Sequence, residues 1–97
     1  MGFKIVKENE KVKIISNGYY ELGELKRDGY ILYRISKVSD FKYLPTIYIK
    51  TNEKEKITGF EIETTGYGSM NLQTVNEIMY GYSIAINTVI DLEKIYL

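Results

Sequence analysis

The chain contains no histidine, no cysteine and no tryptophan, and a single proline, Pro45. Without histidine the usual proton shuttle near neutral pH is missing. Without histidine and cysteine, zinc and other transition metals lose their usual ligands, and disulfide and thiolate chemistry are excluded. What is left for catalysis is carboxylate, amine, hydroxyl and phenol. The expectation is therefore a non-enzymatic protein with no cofactor, no metal and no catalytic residues. No apolar run approaches the roughly 18 residues of a membrane span, so no membrane association is expected. The opening MGFKIVKENEK has no apolar h-region and predicts no secretory signal. Val6 stands where a myristoylation motif wants Ser or Thr. A cytoplasmic protein is the expectation.

What is present is charge in balance, thirteen basic against thirteen acidic residues in a chain of 97, read as one domain over 1–97. The balance hides an asymmetry. Residues 1–50 hold ten Lys or Arg against six Asp or Glu, and residues 51–97 hold three against seven. The second half is thus the acidic side of a dipolar protein, suited to a basic partner. Ten tyrosines add rigid contact area with polar tips.

The C-terminal stretch organises the rest. On a helical wheel, Val75, Ile78, Met79, Tyr82, Ala85, Ile86, Val89, Ile90, Leu92 and Tyr96 fall within about 160° of arc. This predicts one amphipathic helix over about 72–95 with that face inward. Asn71 is placed to cap it, with Met70 and Val75 at the positions of a hydrophobic staple. Gly81 falls mid-helix, where a close approach by a strand or a tyrosine ring would require it.

Everything before the helix reads as strand, over about 3–65. Alternation or apolar runs mark Phe3–Lys7, Lys11–Ser16, Tyr19–Leu25, Tyr30–Ser36, Thr46–Thr51 and Ile57–Thr65. Asn17-Gly18 and Asp28-Gly29 are strong hairpin signals. Residues 37–44, KVSDFKYL, are irregular. The fold class predicted is α+β: a six-stranded, mostly antiparallel curved sheet, a meander of hairpins, packed on one long C-terminal helix. The fourth strand, YILYRIS, is apolar on both faces and suggests a homodimer contact.

Three binding surfaces can be read from the residues. The first is a partner-binding surface of the acidic half: Glu61 and Glu63 on the outward face of the last strand, Tyr67, and Asn76, Tyr80, Ile84, Asn87 and Asp91 on the polar side of the helix. The second is a small-ligand or nucleotide site at the strand-to-helix turn, Thr64, Thr65, Gly66, Tyr67, Gly68, Ser69 and Asn71, where a free helix N-terminus favours anions. It lacks a P-loop Lys and a full dinucleotide fingerprint. The third is a single-stranded nucleic-acid face from Lys4, Lys7, Lys11 and Lys13 with Tyr19, Tyr20 and Tyr30. Zero net charge and the interleaved Glu8, Glu10, Glu21 and Glu24 weaken its phosphate attraction, so nucleic acid is the least favoured partner.

The segment GFEIETTGYGSMNLQTVNEIMYGYSIAINTVIDLEKI resembles small proteins of phages and mobile elements of low-GC Gram-positive bacteria. The resemblance covers about the last forty residues and carries no functional residue across. It implies an inhibitor of a bacterial host defence protein, such as an anti-CRISPR protein acting on a defence nuclease by covering a surface.

Overall fold

The computed structural model describes residues 2–64 and 66–97. Six strands precede one helix: β1 (Lys4–Glu8), β2 (Val12–Ser16), β3 (Tyr20–Arg27), β4 (Tyr30–Lys37), β5 (Ile47–Thr51), β6 (Ile57–Ile62) and α1 (Leu72–Tyr96). The class is α+β, and every pairing is antiparallel. The expected single six-stranded sheet is corrected: β1 to β4 form one sheet in chain order, and β5 and β6 form a second.

The break has a local cause. Strands joined by tight turns pair directly, as β2 to β4 do through Gly18 (φ 89°) and Gly29 (φ 84°), both in the left-handed region those turns require. Between β4 and β5 the chain instead dives inward. Leu44 and Pro45 are buried, the Pro45 carbonyl accepts from the Tyr20 hydroxyl, and the Leu44 carbonyl accepts from Lys37 Nζ at 3.2 Å. With its path fixed by these anchors, β5 runs beside β4 in contact but without a hydrogen-bonded ladder.

Two core lobes fill the space between sheets and helix. One gathers Tyr20, Leu44, Ile47, Ile84 and Ala85; the other gathers Ile15, Leu22 and Leu92; Ile35 and Phe60 pack against both. Outward residues on β4, Tyr30 and Leu32, stay exposed while Ile31, Tyr33 and Ile35 turn in, as alternation predicts.

The helix begins as its sequence predicts: the Asn71 side chain accepts from the Thr74 amide at 2.8 Å. Its rotation is another matter. The buried residues are Gly81, Ile84, Ala85, Thr88 and Leu92, with Ile78, Tyr82, Val89 and Tyr96 half-buried beside them. Val75, Met79, Ile86 and Ile90, expected inward, are exposed. The inward face is turned by about 90° from the centre of the apolar arc. Close approach explains the turn. The Tyr43 carbonyl occupies the space a Cβ on residue 81 would need, with Phe41 Cε2 3.4 Å from that position. Gly81 is the residue that lets the backbone come so near. Ile84 and Thr88 therefore lie in the core and not on a polar outer side. The approach itself was expected, but it comes from a loop, not from a strand. No helix among the described residues is long and apolar enough to cross a membrane.

Candidate interaction surface

The irregular segment between β4 and β5 builds the most distinctive surface. Its base is pinned. The Val38 and Ser39 amides donate to the Tyr19 carbonyl, at 2.9 and 3.4 Å, and the Ser39 hydroxyl accepts from the Phe41 amide at 3.1 Å. With Leu44 and Pro45 anchored below, Phe41 and Tyr43 are presented upward beside the first half of the helix.

Their rings form a run across the surface. Tyr67 meets Tyr43 edge-on at 6.3 Å, Tyr43 meets Phe41 at 6.5 Å, and Phe41 meets Tyr80 at 5.5 Å with planes 89° apart. Such edge-to-face pairs contribute about 0.5–1.5 kcal/mol each beyond their buried area. Lys42 Nζ lies 5.3 Å from the centre of the Tyr43 ring. Tyr19 lies beyond Tyr80, and the neighbouring Tyr80 hydroxyl, more than burial, raises its phenol above the ordinary value of 10.0. Tyr80 is 54% exposed, with the Phe41 ring packed edge-on against it.

Tyr80 divides two open hollows. One, of about 470 Å³, is lined by Phe41, Leu72, Gln73, Asn76, Glu77 and Tyr80. The other, of about 250 Å³, has Asn17, Tyr19, Tyr80, Asn87 and Asp91 on its walls, with Ile84 and Thr88 on its floor. Both combine aromatic rings with amides and a carboxylate.

Of the sequence-predicted partner residues, Asn76, Tyr80, Asn87 and Asp91 come together here, and Tyr67 joins through Tyr43. Ile84 lies beneath them as a core residue, a correction to its expected exposure. Glu61 and Glu63 do not join. Glu61 stands outward on β6 and faces Lys50 Nζ at 3.4 Å; Glu63 lies one residue past the end of the strand, which stops at Ile62 short of the expected Thr65, and accepts from the Tyr48 hydroxyl at 3.2 Å. The strand meets the other flank of the helix, where the Tyr82 hydroxyl donates to the Glu63 carbonyl at 3.3 Å.

Sequence reading missed Phe41, Leu72, Gln73 and Glu77. The available signal was two aromatics in KVSDFKYL, a stretch with no strand alternation to bury them.

The turn before the helix is open. Thr64, Gly66, Gly68 and Ser69 are exposed, Gly68 has φ 73°, and Asn71 is committed to the cap. Thr65 lies outside the described residues. No group of three or more acidic side chains arranged to hold a metal occurs among the described residues.

The expected nucleic-acid face is altered too, because Tyr20 is buried. Basic side chains gather instead at a cleft of about 470 Å³ between the β3–β4 and β5–β6 turns, lined by Lys26, Arg27, Lys54 and Lys56 together with Glu55, Tyr30 and Tyr33.

No model of a known protein family, no curated protein and no solved structure matches the chain.

Proposed function

We propose that this chain is a non-enzymatic protein-binding module that covers a surface of a bacterial partner, with Tyr80 as its anchor. One observation carries the reading: an exposed aromatic ring, packed edge-on by Phe41, stands between two hollows lined by amides and carboxylates. Rigid tyrosines surrounded by adaptable amides lose little conformational freedom on binding, a composition favoured at recognition surfaces. Glu77 and Asp91, one in each hollow, suit a partner segment carrying Lys or Arg. A defence nuclease is the class of partner proposed, in keeping with the phage or mobile-element context that the sequence resemblance implies. The test compares capture from host lysate by the native chain and by Tyr80→Ala, read by mass spectrometry. The expected result is loss of the captured protein with Tyr80→Ala while the melting temperature holds; equal capture overturns the reading.

The cleft between the two hairpin turns favours a second reading, single-stranded nucleic-acid binding, with Tyr30 as a stacking platform among four cations. Gel retardation of oligonucleotides that weakens steeply with salt and is lost in Arg27→Gln with Lys56→Gln would support it. A ligand at the strand-to-helix turn is the third; a nucleotide that raises the melting temperature would support it.

A further inference from the structure

The outward ridge of α1 is apolar where a solvated helix should be polar. Leu72 is 76% exposed and Met79 64%, and Ile86, Ile90 and Leu97 continue the line. Leu72, Asn76, Met79, Ser83, Ile86, Ile90, Glu93 and Leu97 follow one another at alternating spacings of four and three, the seam of a two-helix coiled coil. A line of large apolar side chains exposed this far, broken only by Asn76, Ser83 and Glu93, points to an interaction site.

We infer that this ridge is where a second copy of the same chain docks, helix against helix and antiparallel. Self-complementarity identifies the occupant. In one antiparallel register Leu72 meets Leu97, Asn76 meets Glu93, Met79 meets Ile90 and Ser83 meets Ile86. Leu72–Leu97 and Met79–Ile90 set apolar against apolar, the small Ser83 lies against Ile86, and the seam's one charged residue, Glu93, faces an amide that can donate to it. The two-fold axis falls beside Ser83, small enough to let the helix axes approach to about 8–10 Å. In-register parallel pairing would instead set Glu93 against Glu93, a like-charge contact. The fourth strand is the poorer candidate, because Arg34 shares its outer face with Tyr30 and Leu32.

Size sets the strength. A helix of 25 residues is about 37 Å long and about 10 Å wide, a footprint near 370 Å² per protomer. Stable interfaces bury about 800 Å² per partner, so this is a weak, reversible dimer. The inference goes beyond the binding function proposed above: the ridge shares Leu72 and Asn76 with one hollow and Ser83 with the other, so a second copy and a partner would compete, but the variants that test the dimer, at Met79 and Ile90, line neither hollow.

Sedimentation equilibrium of the full chain over about 1–500 µM tests it. The expected result is a mass rising from 11.3 kDa toward twice that value. Met79→Glu and Ile90→Glu, both at exposed positions, are expected to keep the native melting temperature and remain monomeric throughout. A native chain that stays monomeric, or folded variants that still dimerise, overturns the inference. Orientation is read by oxidation, which is clean because the chain has no cysteine. Asn76→Cys mixed with Glu93→Cys is expected to give a crosslinked heterodimer, with little crosslinking of either alone. Efficient self-crosslinking of Asn76→Cys overturns the antiparallel register.

Discussion

Asn17, in the β2–β3 turn, donates from Nδ2 to the Thr88 hydroxyl on the helix at 2.8 Å, across 71 positions of sequence. The same side chain accepts from the Tyr19 and Tyr20 amides through Oδ1, at 2.9 and 2.8 Å. Thr88 in turn donates to the Ile84 carbonyl at 2.8 Å. One amide therefore shapes a hairpin and ties it to the helix. Asn17→Ala removes all three bonds and leaves a buried hydroxyl without its donor, so a loss of about 2–3 kcal/mol is expected in urea unfolding. Thr88→Val is expected to cost less, and the double variant less than the sum, since the two changes delete a shared bond. Strict additivity would show that the bond contributes nothing.

Gly81→Ala sets two effects against each other. Alanine gains about 1 kcal/mol of helix propensity over glycine. Its methyl group would fall on the Tyr43 carbonyl, which is backbone and anchored by the buried Leu44 and Pro45 beside it. The clash wins, as overpacking typically costs about 1–3 kcal/mol, so a net loss of stability is expected by thermal denaturation. The loop bearing Phe41 and Tyr43 would shift with it, so partner capture should fall as well. A stabilised variant would contradict the close approach.

Stability should decline on the alkaline side. Burial raises the Tyr20 phenol above its ordinary 10.0, and burial followed by a hydrogen bond to Glu24 raises Tyr96. Below about pH 10 both states hold these protons and the contribution is fully present. Above it the unfolded chain releases them and the native chain does not, so stability falls as pH rises. Melting temperatures across pH 8–11.5 check this, and Tyr20→Phe should flatten the decline. A flat profile for the native chain would argue against it.

Tyr96 donates to Glu24 Oε2 at 2.7 Å and meets Tyr33 edge-on at 5.8 Å. Tyr96→Phe keeps the ring contact and deletes the bond, so a loss of about 1.5 kcal/mol is expected near neutral pH. Tyr96→Ala removes both and should cost about 3–5 kcal/mol. Equal losses from the two variants would place all of the stabilisation in the hydrogen bond.

What the sequence determined by itself was local. Asn17-Gly18, Asp28-Gly29 and Asn71 act through their own backbone neighbours, so two hairpins and a helix start are legible without a fold. Strand faces followed from alternation, which placed Glu61 and Glu63 outward. Tertiary structure decided what depends on a distant partner. Hydropathy turned Met79 and Ile86 inward, but the approach of the Tyr43 carbonyl required the Gly81 side and rotated the helix. That rotation buried Ile84, left Tyr80 standing among Phe41 and Tyr19, and exposed the apolar ridge. The dive at Leu44 and Pro45 likewise split one expected sheet into two. Periodicity records how much of a helix is apolar, whereas the distance of closest packing determines which part of that surface is covered.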